Sequence, residues 1–279
     1  MKRAIVVLTL LTLAASAYAG TLVFNFDDAR QLSGNWFIKD PNRWPQDPEN
    51  VDWSVENGEL VAISSEVCSG LSATSFLDDN HWDWRDYEMS LKLKLVQTLV
   101  PACRIYSNVL FGTNIYAGDR GGCIQANFLS LQTRGAGGPW DQVSLGTNEY
   151  TWRTGPSLKS PLEEGKWYTL RMVAEDGFHQ MFIDDEPIAQ AWSANPSPDF
   201  ARGFICFGIK NAEMHFDDYT LKGEDIPDHK DLEPVSQEVI KKLGLKPMIP
   251  ESELPPPEKL AAVSPRAKLA ASWGQVKAH

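Results

Sequence analysis

The sequence is short of positive charge, of histidine and cysteine, and of long apolar runs. Its 26 Lys and Arg stand against 37 Asp and Glu, a formal net charge of −11. Phosphate backbones and anionic headgroups repel such a chain, so nucleic acid and anionic membrane are not expected partners. A neutral sugar, a cationic partner or a divalent metal suits it better. Beyond residue 19 no stretch is apolar over the ~20 residues that a spanning helix needs. The five histidines, His81, His179, His215, His229 and His279, have no neighbours that suggest a Ser/His/Asp triad. No Gly-x-Ser-x-Gly occurs. The glycine-rich stretches Gly118–Gly122 and Gly135–Pro139 lack the Lys-Ser/Thr and the following helix of a phosphate-binding loop. Between Thr21 and Lys222 no strong amphipathic helix can be found.

Short alternating segments are plentiful. The chain is organised around 166–187 and 203–222. Leu170, Met172 and Ala174 alternate with Thr169, Arg171, Val173 and Glu175 up to Asp176-Gly177, and the alternation resumes through Met181 and Ile183. A period of two on both sides of Asp-Gly predicts an antiparallel hairpin. An apolar strand from Gly203 to Lys210 follows. After a break at Asn211-Ala212, the last strand contains Phe216-Asp217-Asp218-Tyr219. Upstream, Thr21–Phe26 reads as the first strand, ending at Asp27-Asp28. Residues 32–50 read as an irregular Trp/Pro-rich segment. Val51–Glu56 and Glu59–Ser64 flank Asn57-Gly58, a second hairpin signal. In Tyr87–Leu95, the residues Tyr87, Met89, Leu91, Leu93 and Leu95 are expected to face a core. Cys103–Gly112 and Cys123–Arg134 are further strand candidates, and Gly146–Glu164 reads as a polar connection. Many short strands with turn signals predict an all-β, two-sheet sandwich over residues 20–223.

The two ends differ from this middle. Lys2-Arg3, an apolar run from Ala4 to Ala15 and Ala17-Tyr18-Ala19 form the pattern of a signal peptide, residues 1–19, cleaved after Ala19. Export to the periplasm or outside the cell follows from that reading. Cleavage removes two basic residues and no acid, which takes the net charge from −11 to −13. It also makes disulfides permissible among Cys68, Cys103, Cys123 and Cys206. Cys103–Cys123 is the favoured pair, and Cys206 fits a buried thiol equally well. Residues 224–279 hold eight of the 18 prolines. They read as a Pro-rich tail with short helices, one near Val235–Leu243. The tail is either a linker or a docking segment for a protein partner.

The late hairpin and the Phe-Asp-Asp-Tyr strand resemble the C-terminal half of laminin-G-like, or concanavalin-A-like, jelly-roll domains. The elements that carry the resemblance are Trp167, Asp176-Gly177, Ile183-Asp184-Asp185, Gly203–Gly208 and Phe216–Tyr219. Asp185 stands where those domains usually have Gly. The resemblance implies a jelly roll. It also implies a structural calcium ion held between the first and last strands, here by Asp27, Asp28, Asp217 and Asp218, which are hard oxygen donors. Successive residues point to opposite faces, so one Asp of each pair is the expected ligand. The alternative is that both pairs end strands and bind turn amides. Hydrolases of this fold carry Glu-x-Asp-x-x-Glu along a strand, and this sequence has no such set. Its acid clusters fall at strand ends and turns, so two acids flanking a scissile bond are not expected.

A more distant similarity links Trp53-x-Val55-x-Asn57-Gly58-x-Leu60 to 3-keto-disaccharide hydrolase (DUF1080) domains. Those also have Asn-Ser-Gly-Ile and Gly-Tyr-Glu-x-Gln stretches. The corresponding regions here are Ser107-Asn108-Val109-Leu110 and Gly122-Cys123-Ile124-Gln125. Sugars stack an apolar face on aromatic rings and need amides and cations for their hydroxyls. Arg104, Tyr106 and Asn108 on one strand, Gln125 and Asn127 on another, and Trp140 from a loop are therefore the candidate ligand-binding residues. Trp36, Trp44, Trp82, Trp84 and Trp152 read as loop tryptophans too, and any of them could equally plug the sandwich. The expected function is carbohydrate recognition without catalysis. A glycoside hydrolase and an adhesion module with protein partners are the alternatives.

Overall fold

The computed structural model describes residues 20–39, 51–64, 72–76, 86–99, 108–115, 127–135, 137–146, 153–175, 178–192, 204–243, 245–250, 252 and 254. In chain order the strands are β1 (Gly20–Phe24), β2 (Trp36–Lys39), β3 (Val51–Glu56), β4 (Glu59–Ser64), β5 (Ser72–Phe76), β6 (Tyr87–Thr98), β7 (Asn108–Ile115) and β8 (Asn127–Thr133). They continue as β9 (Trp140–Gly146), β10 (Arg153–Ser157), β11 (Trp167–Glu175), β12 (Phe178–Ile183), β13 (Glu186–Trp192), β14 (Phe204–Lys210), β15 (Ala212–Gly223) and β16 (Lys246–Pro247). The α-helix α1 covers Gln237–Leu243.

These strands form two antiparallel sheets. The first runs β13-β12-β11-β6-β15-β4-β3, with β1 also paired to β15. The second runs β10-β9-β8-β7-β14-β5-β2-β16. This is the expected two-sheet jelly-roll sandwich. Asn57 and Gly58 both have positive φ and join β3 to β4 at Glu56 and Glu59. A two-residue turn of this hand matches the strand twist. Asp184-Asp185 makes the same turn, with φ of 49° and 63°, between the paired Ile183 and Glu186. The β11–β12 ladder closes at Glu175 and Phe178. The predicted turn residues 176–177 lie outside the described residues.

The core follows from the alternation. In β6 the residues Tyr87, Met89, Leu91, Leu93 and Leu95 are all buried, as expected. In β15 the alternation breaks at a bulge. Met214 and Phe216 are buried, Asp217 and Asp218 are not, and then Tyr219 and Leu221 are buried. The β15–β6 register slips between Asp217 and Thr220, and Asp218 has a φ of 47°. A bulge adds one residue and resets which face the chain presents. Both acids therefore sit on the outer side, which corrects the expectation of one Asp on each face.

Several segments read as irregular are strands. β2 lies inside the Trp/Pro-rich stretch and β10 inside the polar connection, and β5 and β13 carry no clear alternation. Each gains its hydrogen bonds from a neighbouring strand, not from its own pattern. Trp36 and Trp140 are not loop residues: Trp36 opens β2 and Trp140 opens β9, and both are buried.

The tail reading needs a similar correction for 224–250. Ile226, Val235, Leu245 and Met248 are buried, and β16 pairs with β2. The Val235 N–H donates to Gly34 O at 3.3 Å, and the Met248 N–H to Trp36 O at 2.9 Å. Asn35 Nδ2 donates to Glu233 O at 2.9 Å. The segment has no core of its own but borrows that of the sandwich. Its helix α1 falls where a short helix was expected.

Candidate functional site

The second sheet has one apolar and one polar face. In register across β14, β7, β8 and β9 lie Ile209, Val109, Leu131 and Val143. Ile209, Leu131 and Val143 are buried in the core. The alternate positions form a different row, Lys210, Asn108, Gln132 and Gln142, with Ser157 of β10 opposite Gln142. The next row is Gly208, Leu110, Ser130 and Ser144. The row beyond that is Cys206, Gly112, Phe128 and Gly146. A row of amides and a lysine thus borders a row of glycine, leucine and two serines, and beyond it lies a row of cysteine, phenylalanine and two glycines. None of these positions holds a carboxylate.

This polar face is sheltered. Gln132 is 6% exposed and Ser130 is fully buried, although both alternate away from the core residue Leu131. Among the described residues Ser130 Oγ has no hydrogen-bond partner. Leaving a buried hydroxyl unsatisfied costs about 1–3 kcal/mol. Burial also lowers the pKa of the Lys210 ammonium below the ordinary lysine value, because desolvation disfavours the charged form.

The sequence candidates fall unevenly on this surface. Asn108 is the register partner of Lys210 and Gln132. Asn127 pairs with Thr113, at the other end of the β7–β8 ladder. With about 3.4 Å of rise per residue the two amides lie well apart. Arg104, Tyr106 and Gln125 lie outside the described residues. Trp140 turns inward because the β8–β9 register slips after Gln132, so that Thr133 faces Trp140. Its indole N–H donates to Thr98 Oγ1 at 3.0 Å. Trp140 lines an open cavity of about 430 Å³ at the sandwich end, with Thr98, Pro139, Leu162 and Glu164. Ser130, Gln132 and Lys210 were missed. Their signal was present as polar residues alternating with Leu131 and Ile209, but only pairing shows that they share a face.

At the junction of the terminal strands β1 pairs with β15, with Phe24 opposite Tyr219. The four acids lie beyond that pair, each held locally. Asp27 Oδ2 accepts from Asn25 Nδ2 at 2.7 Å. Asp28 caps the short turn Ala29–Leu32, accepting from the Arg30 N–H at 2.9 Å. Asp217 Oδ1 accepts from the Asp218 N–H at 2.8 Å, and Asp218 Oδ2 lies 2.6 Å from Lys92 Nζ. Among the described residues no group of three or more His, Cys, Asp or Glu is placed to hold a metal.

The outer face of the first sheet holds a titratable network. His215 Nδ1 lies 2.6 Å from Glu59 Oε2, and its Nε2 lies 3.3 Å from Glu213 Oε1. Lys94 Nζ donates to Glu59 Oε2 at 2.9 Å and sits 4.4 Å from the Trp167 ring centroid. Burial pushes the Glu59 carboxyl up. The hydrogen bonds and charges of His215 and Lys94 outweigh it and leave the pKa lowered. Both ring nitrogens of His215 are engaged, so it acts here as a tie between β4 and β15.

The chain is therefore a jelly-roll sandwich with a sheltered polar sheet face. It belongs to the 3-keto-alpha-glucoside-1,2-lyase-like domain family, whose model matches residues 24–222. Among solved structures it is similar to a Bacillus subtilis protein of unknown function with a galectin-like fold. That match has 9% identity and a TM-score of 0.50, covering 72% of this chain and 95% of that one. A structure from work on endo-acting O-glycanases of the human gut microbiota matches at 12% identity and a TM-score of 0.50, covering 72% and 97%. Carbohydrate binding module CBM66 from Bacillus subtilis matches at 13% identity and a TM-score of 0.46, covering 67% and 95%. At these identities the likeness shows the fold. No curated protein matches the chain.

Proposed function

We propose that the chain binds carbohydrate on the polar face of its second sheet and does not cleave it. The observation that carries this reading is the composition of that face. Amides, hydroxyls and one lysine, interspersed with glycine and with Leu110, Cys206 and Phe128, match a neutral ligand that carries both hydroxyls and an apolar face. General acid–base cleavage of a glycosidic bond needs carboxylates on both sides, and the rows supply none. Relatives in fold that bind or degrade glycans support the ligand class. The test is a glycan array with the whole chain, followed by titration of the best oligosaccharide. Replacing Gln132 and Gln142 together by Ala removes several hydrogen bonds of about 0.5–1.5 kcal/mol each and weakens binding at least about tenfold. Glu163→Gln leaves affinity unchanged, and a melting curve on each variant separates lost binding from lost fold. Retention of no glycan, or an equal affinity in the double variant, overturns the reading.

Membership of the lyase-like family favours a second reading, chemistry on a 3-keto-α-glucoside. Incubating the chain with such a glycoside and following the released sugar separates the two. Release at a rate above the buffer blank removes the non-catalytic reading.

Export after cleavage at Ala19 and calcium at the terminal-strand junction are further proposals. A cation there would relieve repulsion among Asp27, Asp28, Asp217 and Asp218. At a hundredfold excess over Kd it would stabilise the fold by about 3 kcal/mol. The melting temperature then falls with a chelator and recovers with calcium. A curve indifferent to both means that the acids serve only their local hydrogen bonds.

A further inference from the structure

We propose that the open cavity at the sandwich end is a second ligand site, separate from the polar face, and that it takes the protonated amine of an amino sugar. The sugar frame of this ligand rests on the carbohydrate reading above; the site itself stands on other residues. The cavity measures about 430 Å³ and lies where the end of β6 in the first sheet meets the start of β9 in the second. That volume is within the range of small-molecule sites. Leu95, Pro139, Trp140, Pro161 and Leu162 give it apolar walls, and Glu164 is the only charged residue among the described residues that line it. The walls are fixed from within. The Leu162 N–H donates to Trp140 O at 2.9 Å, and the Gly165 N–H to Leu95 O at 2.7 Å. The Glu163 N–H donates to Tyr168 Oη at 2.8 Å, and on the opposite wall the Arg134 N–H donates to Pro139 O at 3.3 Å. Residues 161–165 are thereby tied to both sheets. A ligand need not order them, which lowers the cost of binding.

The same bonds decide what the cavity can recognise. The N–H groups of Leu162, Glu163 and Gly165 are spent inside the fold, as is the Trp140 indole N–H on Thr98 Oγ1. Pro139 and Pro161 carry no N–H at all. The nearby charges are matched as well: Lys166 Nζ lies 3.1 Å from Glu163 Oε1, and Arg134 Nε 2.9 Å from Asp141 Oδ1. Glu164 differs. It is exposed at the cavity, and among the described residues it has no ion-pair or hydrogen-bond partner. A carboxylate accepts and does not donate, so its complement is a cationic donor. An amino sugar supplies both halves of the match. Its apolar ring face lies against the prolines, with Trp140 behind them, and its ammonium meets Glu164. Glucose fits the same walls without the charge, and N-acetylation replaces the ammonium by a neutral amide.

The probes are glucosamine, N-acetylglucosamine and glucose, each titrated into the full chain while the indole N–H resonances are followed by NMR. Trp140→Phe identifies the Trp140 signal. Glucosamine is expected to shift that signal and to bind at least threefold more tightly than the other two sugars. Glu164→Gln should weaken glucosamine about three- to fivefold, the effect of one ion pair at an exposed rim, and bring it level with glucose. Glu175→Gln, which removes an equal charge at the far end of β11, should change affinity less than twofold. Replacing Gln132 and Gln142 together by Ala should leave glucosamine binding as it is. Equal affinity for the three sugars, an undiminished affinity in Glu164→Gln, or a Trp140 signal that no sugar moves overturns the proposal. So does glucosamine binding that is lost with Gln132 and Gln142 but kept in Glu164→Gln, which would place the amine on the polar face. Each of these results leaves the broader reading standing if oligosaccharide binding still depends on Gln132 and Gln142. Absence of all sugar binding in the wild type removes both.

Discussion

A chain ending at Gly223 is expected to melt well below the full-length chain. The segment after Gly223 is bound to the sandwich by its backbone and by four buried side chains. Ile226, Val235, Leu245 and Met248 are 4–7% exposed, and burial of side chains of this kind contributes roughly 1.5–3 kcal/mol each. The ordering entropy of the segment takes back a large share. Truncation also uncovers what the segment protects. Phe37 and Ile38 lose the β16 strand beside them, and the Gly34 and Trp36 carbonyls lose their donors. The approach is close at the other end as well: a Cβ on Gly20 would run into the Ile226 carbonyl. A net loss of about 3 kcal/mol lowers the melting temperature of a domain this size by roughly 6–12 °C. Thermal unfolding of residues 20–223 against residues 20–279, followed by circular dichroism, measures it. Equal melting temperatures would show that the segment is a separate appendage.

The second large effect is expected at Trp36. Its side chain is fully buried where the first and second sheets meet the terminal strands. Its ring lies edge-on to Phe24 at 5.3 Å, Phe26 at 5.9 Å and Tyr219 at 5.6 Å between centroids. Trp36→Ala removes the largest side chain of this cluster and leaves a cavity that three rings on separate segments cannot easily fill. The cost is about 3–5 kcal/mol, more than any single hydrogen bond of the polar face could contribute. Trp36→Phe should recover a good part of it, because edge-to-face packing survives with less volume. Chemical denaturation of both variants checks the order wild type, Phe, Ala. An Ala variant within about 1 kcal/mol of wild type would mean that the core relaxes around the hole, as collapsible sites do.

The two results bear on different parts of the fold but on one design. β1 pairs with β15, and Trp36 and the segment after Gly223 pack beside that junction. The polar face lies on the same sheet as β2 and β16, with β5 and β14 between them and β7. Loss of the closing segment is therefore expected to act on stability before it acts on sugar binding.

Local pattern alone determined a good deal. Alternation in Tyr87–Leu95 and Trp167–Ala174 gives strands and their buried faces, because a pleated chain has a period of two whatever it pairs with. Asn57-Gly58 and Asp176-Gly177 give hairpins, because few residues accept the backbone that a tight turn needs. The acid excess makes polyanionic partners unexpected through charge alone. Partner choice between distant strands is not local, and only the tertiary structure decided it. β14 and β15 are separated by Asn211 alone, yet they lie in different sheets. The bulge at Asp218 places two successive acids on one side because the β15–β6 register slips there. The slip after Gln132 turns Trp140 into the sandwich by the same means. Lys210, Gln132 and Ser130 come from strands far apart in sequence, and no spacing in the chain could place them on one face. Their juxtaposition arises from inter-strand hydrogen bonding, which depends on the whole sheet.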